Sequence, residues 1–341
     1  MTSILARAPG KVVLSGEYAV LGGAPAISTA VDRHAVVQIV ATEDKFHRVA
    51  APGHAEGSWR FTTDNEGRII WQDELPEQGL RLVEEGWRAV LPAYQSGLSI
   101  TVDTTEFCAV GSVEKLGLGS SAAAMTALVG ALDRLQPTSP DIYTVARNAH
   151  KALQQGLGSG VDVATSYFGG VIEFRTDSTA VPQQHSWINE LDFRFLWSGT
   201  AASTMDKISG LDIPPADDVS WGSLSSAAES AATAWAAGDA SKVLGAWRKY
   251  TDALRQFGID HDLGIFDAGH GELADLANSV DLVYKPCGAG GGDIGIVLAS
   301  EHARGGSELK RFCANAEAAG FQLLSLLPNP IGLGFASGDN R

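Results

Sequence analysis

The chain has 341 residues, of which 45% are hydrophobic and 19% are charged, and its formal net charge is −15. This length suggests two domains, and the composition is that of a globular protein that can fill a hydrophobic core. The negative charge argues against a nucleic-acid-binding surface, because phosphate backbones are bound by basic faces.

The first part of the chain predicts strands followed by a helix. Residues 4–43 combine β-branched alternation with Pro-Gly and Gly-Gly turns, which is typical of several strands joined by tight turns. Residues 51–75 are polar with scattered aromatic residues and predict a hairpin or surface excursion. Apolar residues recur at helical spacing over 77–95 and alternate over 98–107, so we expect an amphipathic helix and then a strand.

Two helices are predicted around glycine-rich turns in the middle of the chain. The apolar, alanine-rich run 121–135 predicts a buried helix that is ended by Pro137. A second helix is predicted to start with Ser139 as its N-cap and Pro140 at its first helical position, and to run to about Gln155.

The second half alternates single helices with strands, which fits a small α+β layer domain. Residues 221–257 predict a long helical segment, and residues 301–319 predict a further helix before a final strand. The stretch 176–186 is polar and contains a proline, which is typical of a linker. We therefore predict an α+β fold with two domains, comprising residues 1–185 and 186–341.

The cysteines and the apolar runs bear on where the protein works. Three widely spaced cysteines (Cys108, Cys287 and Cys313) argue against a disulfide framework or a zinc cluster and favour a reducing compartment. No basic start is joined to an apolar run at the N-terminus, so no secretory signal is expected. The apolar runs are too short to span a bilayer. These features predict a cytoplasmic protein with no membrane segment.

The segment Gly117-Leu118-Gly119-Ser120-Ser121 is a candidate phosphate-binding loop. Its glycines would let backbone N–H groups converge on an anion, and the following helix would add its positive N-terminal end. Ser120 and Ser121 offer hydroxyls to a phosphate oxygen or a magnesium ion, and Lys115 adds a mobile positive charge. The segment matches neither a Walker A loop nor a Rossmann fingerprint. By itself it is somewhat more typical of the capped end of a buried helix.

Lys11 and Asp162 are candidate site residues with plain structural alternatives. Lys11 stands between a Pro-Gly turn and an apolar run, where a buried ammonium needs a partner such as Asp162 or a bound phosphate. The alternative is an edge lysine that reaches solvent. Asp162 and Ser159 lie near a predicted helix start after the turn 156–160. Asp162 is therefore either a first-turn carboxylate or an acid–base or positioning group beside an acceptor.

A third glycine-rich segment, 288–292, has four glycines in five positions, which favours close approach of the backbone to a ligand over a simple bulge. Asp293 follows it and would cap the turn or hold a lysine. His150 lies in the middle of a predicted helix, where a packing role is favoured over that of a ligand.

Together, "APGKVVLSGEYAVLGG" (8–23), "KLGLGSSAA" (115–123) and "KPCGAGGGDIGIVL" (285–298) resemble the three motifs of the GHMP kinases in their order. The resemblance extends over essentially the whole chain. The stretch 150–175 is similar to the phosphomevalonate kinase branch, as is "WSGTAAST" (197–204), whereas the Gly-Glu-Tyr-Ala-Val-Leu-Gly-Gly opening is about as close to mevalonate kinase.

The resemblance implies an N-terminal α+β domain with a left-handed β-α-β crossover, a ferredoxin-like C-terminal domain and an active site between them. It implies ATP and Mg2+ as cofactors and Lys11 and Asp162 as catalytic residues. The implied ATP-binding residues are Lys115, Gly117, Leu118, Gly119, Ser120, Ser121 and Ala122, with Ser121 also a magnesium ligand. The implied acceptor-side residues are Tyr18, Ser159, Gly160, Ser203, Thr204, Gly288, Ala289 and Gly290.

The resemblance further implies transfer of the γ-phosphoryl group of ATP to a small phosphate-bearing acceptor, 5-phosphomevalonate, with no nucleic-acid or membrane partner. Other acceptors within the family, such as mevalonate or a sugar phosphate, stay open at this point. So do a related decarboxylase acting on diphosphomevalonate and a non-catalytic nucleotide-binding regulator. The sequence leaves the oligomeric state open between monomer and homodimer.

Overall fold

The computed structural model describes residues 3–92, 94, 96–112, 114–176, 181–202, 207, 213–215, 217–300 and 307–337. Within these ranges the chain forms thirteen strands in two sheets and eight α-helices. The helices are α1 (Arg81–Val90), α2 (Ser120–Leu135), α3 (Ile142–Leu153), α4 (Val161–Phe168), α5 (Val219–Ala236), α6 (Ala240–Asp260), α7 (His270–Ser279) and α8 (Ser307–Ala318).

The first sheet has nine strands, and its most extensive pairing is that of the long antiparallel strands β1 and β2. Its strands are β1 (Ser3–Ser15), β2 (Ala26–Ala41), β3 (His47–Ala51), β4 (Ala55–Thr63), β5 (Ile69–Trp71), β6 (Leu98–Asp103), β7 (Val171–Phe174), β8 (Gln183–His185) and β13 (Gly334–Ser337). The register of β1 against β2 shifts between Pro9 and Gly10, where proline has no N–H for the ladder. This irregularity immediately precedes Lys11.

The second sheet has four strands in the order β10-β11-β9-β12. They are β9 (Leu191–Trp197), β10 (Val283–Pro286), β11 (Ile294–Ser300) and β12 (Gln322–Leu324). The last strand of the chain, β13, pairs with β1 and so returns to the first sheet. The boundary at 185/186 falls between β8 of the first sheet and β9 of the second, and the division into two sequence domains stays a prediction.

Helix α2 confirms the buried helix predicted over 121–135, and it begins at Ser120. All of its residues from Ala122 to Leu132 are buried, because α2 packs on β1 and β2 and is covered by α1, α3 and α4. The small alanine side chains of its first turns let these neighbours approach closely. Burial on every side holds the N-terminal end of α2 in a defined position.

Several predicted boundaries were wrong for local reasons. Asp141, not Ser139, is the N-cap of α3, because its carboxylate accepts a hydrogen bond from the Thr144 amide at 3.0 Å. Helix α1 begins only at Arg81, after a turn in which the Gly79 amide bonds to the Pro76 carbonyl. The segment 221–257 forms two helices, because Gly238 adopts a left-handed φ of 67° and Asp239 caps the start of α6.

Two further expectations were corrected in length. The strand predicted over 98–107 ends at Asp103 and is followed by a short 3-10 turn. The predicted helix over 301–319 is described from Ser307 to Ala318. In the described part of the chain, no helix is both long and apolar enough to cross a membrane.

Candidate active site

A cavity of about 590 Å³ lies where the loop before α2, the start of α4 and the glycine loop after β10 meet. It brings together most of the residues predicted from the sequence, although they come from distant parts of the chain. Those that line it are Lys11, Tyr18, Lys115, Gly117, Leu118, Gly119, Ser120, Ser121, Ser159, Asp162, Gly288 and Ala289. Glu17, Gln154 and Asp293 also line it and were not among the predicted binding residues.

Three predicted residues that the structure describes are not brought to this cavity. Ala122 is buried inside α2, and Gly160 lines a neighbouring cavity on the other side of the turn 156–160. Gly290 packs against the Ile265 carbonyl, which would lie 2.4 Å from an added Cβ. Ser203 and Thr204 lie outside the described residues.

The candidate phosphate loop has the backbone geometry of an anion cradle. Gly117 and Gly119 have φ values of 77° and 75°, which side chains rarely adopt. Gly119 is the N-cap of α2, and no side chain in the described ranges caps it, so the first-turn N–H groups are available to an anion. The Lys11 amide donates to the Leu118 carbonyl at 2.8 Å, which ties the loop to β1.

Two charged side chains press against the glycines of this loop. A Cβ at Gly117 would lie 2.4 Å from Cγ of Asp293, and a Cβ at Gly119 would lie 2.9 Å from Cε of Lys11. Either contact is too short for a real Cβ atom. The loop is therefore glycine for two reasons, its φ angles and the close approach of Lys11 and Asp293.

Asp293 reaches the loop from the strand-to-strand connection of the second sheet. Its Oδ1 accepts a hydrogen bond from the Ala202 amide at 3.1 Å. Burial raises the pKa of this carboxyl group, while the Ala202 hydrogen bond and the positive charge of Lys11 oppose the rise. Of the two roles open to Asp293 from the sequence, the hydrogen bond shows a backbone cap, although to the Ala202 amide, and Lys11 acts on the carboxyl group only through its charge.

Lys11 and Asp162 both line the cavity but are not paired with each other. In the part of the chain that the structure describes, no salt bridge joins Lys11 to a carboxylate. Asp162 lies instead in the first turn of α4, with its Oδ2 3.6 Å from Nδ1 of His150. The direct partnership expected from the sequence is therefore absent in this structure.

Tyr18 links the first glycine motif to the third. Its hydroxyl donates a hydrogen bond to the Ala289 carbonyl at 2.7 Å, and its φ of 60° is unusual for a non-glycine residue. Burial, with a smaller contribution from the charge of Glu17, raises the pKa of the phenol. The hydroxyl therefore stays protonated and holds the loop 288–290 against the cavity.

His150 is the residue whose role sequence reasoning missed. It is almost fully buried, as expected for packing, but its Nε2 lies 3.1 Å from Oγ of Ser121. The sequence signal was weak, because the two residues lie 29 positions apart on different helices. Only the packing of α3 against α2 brings them together.

The donors around the cavity fit a magnesium-bound polyphosphate. The described residues contain no cluster of three or more His, Cys, Asp or Glu side chains that would hold a metal by itself. Mg2+ commonly uses one or two protein oxygens and takes its other ligands from phosphates and water. The Ser121 hydroxyl and the nearby carboxylates supply such oxygens, and the lysines and loop amides suit the phosphates.

The sequence and the structure were compared with known proteins. Residues 81–170 match the family "GHMP kinases N terminal domain". The chain is 28% identical over 377 residues to phosphomevalonate kinase of a Streptomyces species, which covers 96% of this chain and 97% of that protein. It is 30% identical over 210 residues to mevalonate kinase of Thermococcus sibiricus, spanning 60% of the length of each protein.

The fold agrees with these sequence matches. A crystal structure of Streptococcus pneumoniae phosphomevalonate kinase in complex with phosphomevalonate and AMPPNP superposes with a TM-score of 0.71. The superposition covers 96% of this chain and 100% of the Streptococcus pneumoniae chain. Because the two sequences are only 20% identical, this similarity is evidence for the fold alone. The two-domain α+β fold expected from the sequence is confirmed. Residues 81–170 are therefore a GHMP kinase N-terminal domain, and the relatives identify the chain as a phosphotransferase.

Proposed function

We propose that this enzyme transfers the γ-phosphoryl group of ATP to the phosphate of 5-phosphomevalonate and gives 5-diphosphomevalonate. The observation that carries the choice of acceptor is the match to phosphomevalonate kinase over almost the entire length of both proteins. The mevalonate kinase of Thermococcus sibiricus matches over 60% of its length. The cavity between the loop 117–121 and the loop 288–293 provides a site of suitable chemistry.

The nucleotide is assigned to the side of the cavity formed by the start of α2. Its phosphates would accept hydrogen bonds from the amides of Ser120 and Ser121, with Lys115 beside them. A second cavity of about 230 Å³ shares Lys115, Ser120 and Ser121 with the first. Its other walls include the apolar Leu80, Val83, Val102, Ala124 and Leu153, which suit a flat base. We assign the adenine of ATP to it.

The metal is assigned to the same end of the cavity. Ser121 would hold Mg2+ through its hydroxyl together with phosphate oxygens of the nucleotide. Bound there, Mg2+ would neutralise charge on the β- and γ-phosphates during transfer.

The acceptor determines how Lys11 and Asp162 divide the work. A phosphate monoester has a second pKa of about 6, so at neutral pH it is already an anionic nucleophile and needs no base. Its difficulty is electrostatic, because it must approach another polyanion. Lys11, which lies against Gly119 at the floor of the cavity, would offset that charge together with the loop amides. Asp162 would then not take a proton, and its role would be to position neighbouring side chains such as His150.

Mevalonate kinase activity is the second candidate, because mevalonate kinases reach 32% identity across half of this chain. An alcohol has a pKa far above neutrality and gains from a general base. Asp162 lines the cavity and is the carboxylate that would take the proton. The two candidates therefore differ in whether the carboxylate of Asp162 is needed for chemistry.

A panel of acceptors with MgATP, followed by phosphorus NMR, tests the proposal. Phosphomevalonate, mevalonate and sugar phosphates would be compared at equal concentration, with ADP release measured in parallel. We expect a new diphosphate signal, separate from that of ADP, with phosphomevalonate only. A new monoester signal with mevalonate, together with no reaction of phosphomevalonate, would overturn the proposal in favour of the alcohol acceptor. Release of carbon dioxide from diphosphomevalonate would indicate the related decarboxylase instead.

A further inference from the structure

Three side chains connect the acceptor side of the cavity to the phosphate loop. Oγ of Ser121 lies 3.1 Å from Nε2 of His150, and Nδ1 of His150 lies 3.6 Å from Oδ2 of Asp162. The His150 side chain is 1% exposed, whereas that of Asp162 is 19% exposed. His150 is thus an internal link between two residues that both line the cavity.

The positions of three helices create this link. Ser121 lies in the first turn of α2, and Asp162 lies in the first turn of α4. Helix α3 packs against both of these helices and carries His150 near its C-terminal end. The ring therefore sits between two helix N-termini that open toward one cavity.

The chemistry of the Ser121 hydroxyl, the His150 imidazole and the Asp162 carboxylate indicates which atoms carry the hydrogens. Oδ2 of Asp162 lies beyond hydrogen-bond distance of Nδ1, but the negative charge of the carboxylate favours the imidazole tautomer that carries its hydrogen on Nδ1. Nε2 then presents a lone pair and accepts the hydroxyl hydrogen of Ser121. With its hydrogen directed at His150, Oγ of Ser121 can turn its lone pairs toward the cavity. An unconstrained hydroxyl would rotate among several partners.

We infer that His150 is a positioning residue that orients the Ser121 hydroxyl as an acceptor and metal-ligand oxygen for the bound nucleotide. The inference rests on the proposed nucleotide site but not on the identity of the acceptor. It also gives Asp162 a role that does not require proton abstraction, since its carboxylate sets the tautomer of His150. A histidine that only filled space between α2, α3 and α4 would have no effect on how Ser121 meets the nucleotide.

Two substitutions at His150 separate positioning from packing. His150→Phe keeps an aromatic ring but cannot accept from Ser121, so we expect about tenfold weaker binding of magnesium AMPPNP, the loss of one hydrogen bond. His150→Gln places an acceptor oxygen near the position of Nε2, and we expect it to restore most of the affinity. The KM for ATP should rise in His150→Phe, with the KM for the acceptor unchanged.

The matched control is His185→Phe. His185 is another mostly buried histidine next to a carboxylate, with its Nε2 3.4 Å from Oε2 of Glu173, and it does not line either cavity near the loop. This variant should bind magnesium AMPPNP as the unmodified protein does. Thermal unfolding of all three variants would show which of them fold.

A measurement without nucleotide tests the proton assignment directly. Nitrogen NMR of the protein labelled with 15N-histidine, at one pH above the ordinary titration range of histidine, reports which ring nitrogen carries the hydrogen. We expect the Nδ1–H tautomer for His150, and a loss of that preference in Asp162→Ala. An Nε2–H tautomer, or unchanged nucleotide affinity in a folded His150→Phe protein, would overturn the inference. If phosphomevalonate proves not to be the acceptor, both readouts still apply.

Discussion

The ammonium of Lys285 and the carboxylate of Glu17 form a fully buried ion pair, with Nζ 2.5 Å from Oε1. Glu17 follows β1 of the first sheet and Lys285 lies in β10 of the second, so the pair joins the two sheets beside the cavity. Tyr250 of α6 donates to the other Glu17 oxygen at 2.7 Å, and Lys285 also donates to the Pro286 carbonyl. Burial raises the pKa of the Tyr250 phenol, which keeps it a donor.

Removing one member of this pair should destabilise the protein strongly. Lys285→Met leaves the Glu17 carboxylate buried without its cation, and we expect a loss of about 3–5 kcal/mol in the free energy of unfolding. The double variant Glu17→Gln, Lys285→Met should recover much of this loss, since the amide oxygen still accepts from Tyr250. Urea unfolding would measure both. Arg60→Met, which breaks an exposed pair with Asp73, is the control and should change stability little. An equally small change in Lys285→Met would show that the buried charge is compensated elsewhere.

Lys11→Ala should abolish most turnover, whereas Asp162→Asn should reduce it less. For a phosphate acceptor, Lys11 offsets charge in the transition state, and we expect kcat to fall on the order of 10²–10³-fold. Asp162→Asn keeps the shape of the side chain and should cost about tenfold, within the lower range for positioned acid–base groups. Steady-state kinetics with the accepted substrate would compare the two. Equal and near-total losses would instead favour base catalysis by Asp162 and an alcohol acceptor.

Gly117→Ala should impair nucleotide binding beyond the cost of backbone strain. The added methyl group would meet Asp293 at 2.4–2.6 Å and would require the third glycine loop to move away from the first. Gly111→Ala is a matched control, because Gly111 has a similar φ of 73° but no atom within 4 Å of an added Cβ. Its cost should be limited to about 1 kcal/mol of strain. Fluorescence titration with an ATP analogue would compare them, and equal affinities would mean that Asp293 moves without consequence.

Stability should fall on mild acidification because of a histidine beneath the third glycine loop. The Nε2 atom of His270 lies 3.0 Å from the Gly292 carbonyl and its Nδ1 lies 2.7 Å from the Tyr284 hydroxyl. Burial lowers the pKa of His270 to about 4, from 6.5 in an exposed histidine. Between these values the unfolded chain binds a proton that the folded protein does not. The stabilisation is therefore complete above pH 6.5 and decreases as the pH falls toward 4.

The size of this effect can be measured between pH 7 and pH 5. For a single histidine with these two pKa values, the free energy of unfolding should decrease by about 2 kcal/mol over that range. His270→Gln retains a donor for Gly292 and an acceptor for Tyr284 but does not titrate, so its decrease should be smaller. His47, whose pKa burial also lowers to about 4, would account for part of what remains. The same slope in His270→Gln as in the unmodified protein would exclude His270 as the source.

Much of the local structure could be predicted from sequence patterns. The buried helix α2 and the glycine loop that precedes it follow from an apolar run and from glycine positions. Errors fell at element ends, as with Ser139 and Asp141, where two capping residues compete within one turn. Local sequence preference predicts whether a segment is a helix or a strand more reliably than it predicts the residue at which that helix or strand begins.

The sequence alone also identified the residue types of the site, because a phosphate loop, a lysine and a carboxylate carry their chemistry in their side chains and backbone. Their partners were decided only by the tertiary structure. Lys285 meets Glu17 across 268 residues, and Asp293 rather than Asp162 lies with Lys11 against the glycines of the phosphate loop. Such contacts depend on how two sheets and three helices pack, and that arrangement is set by burial summed over the whole core and not by any local pattern.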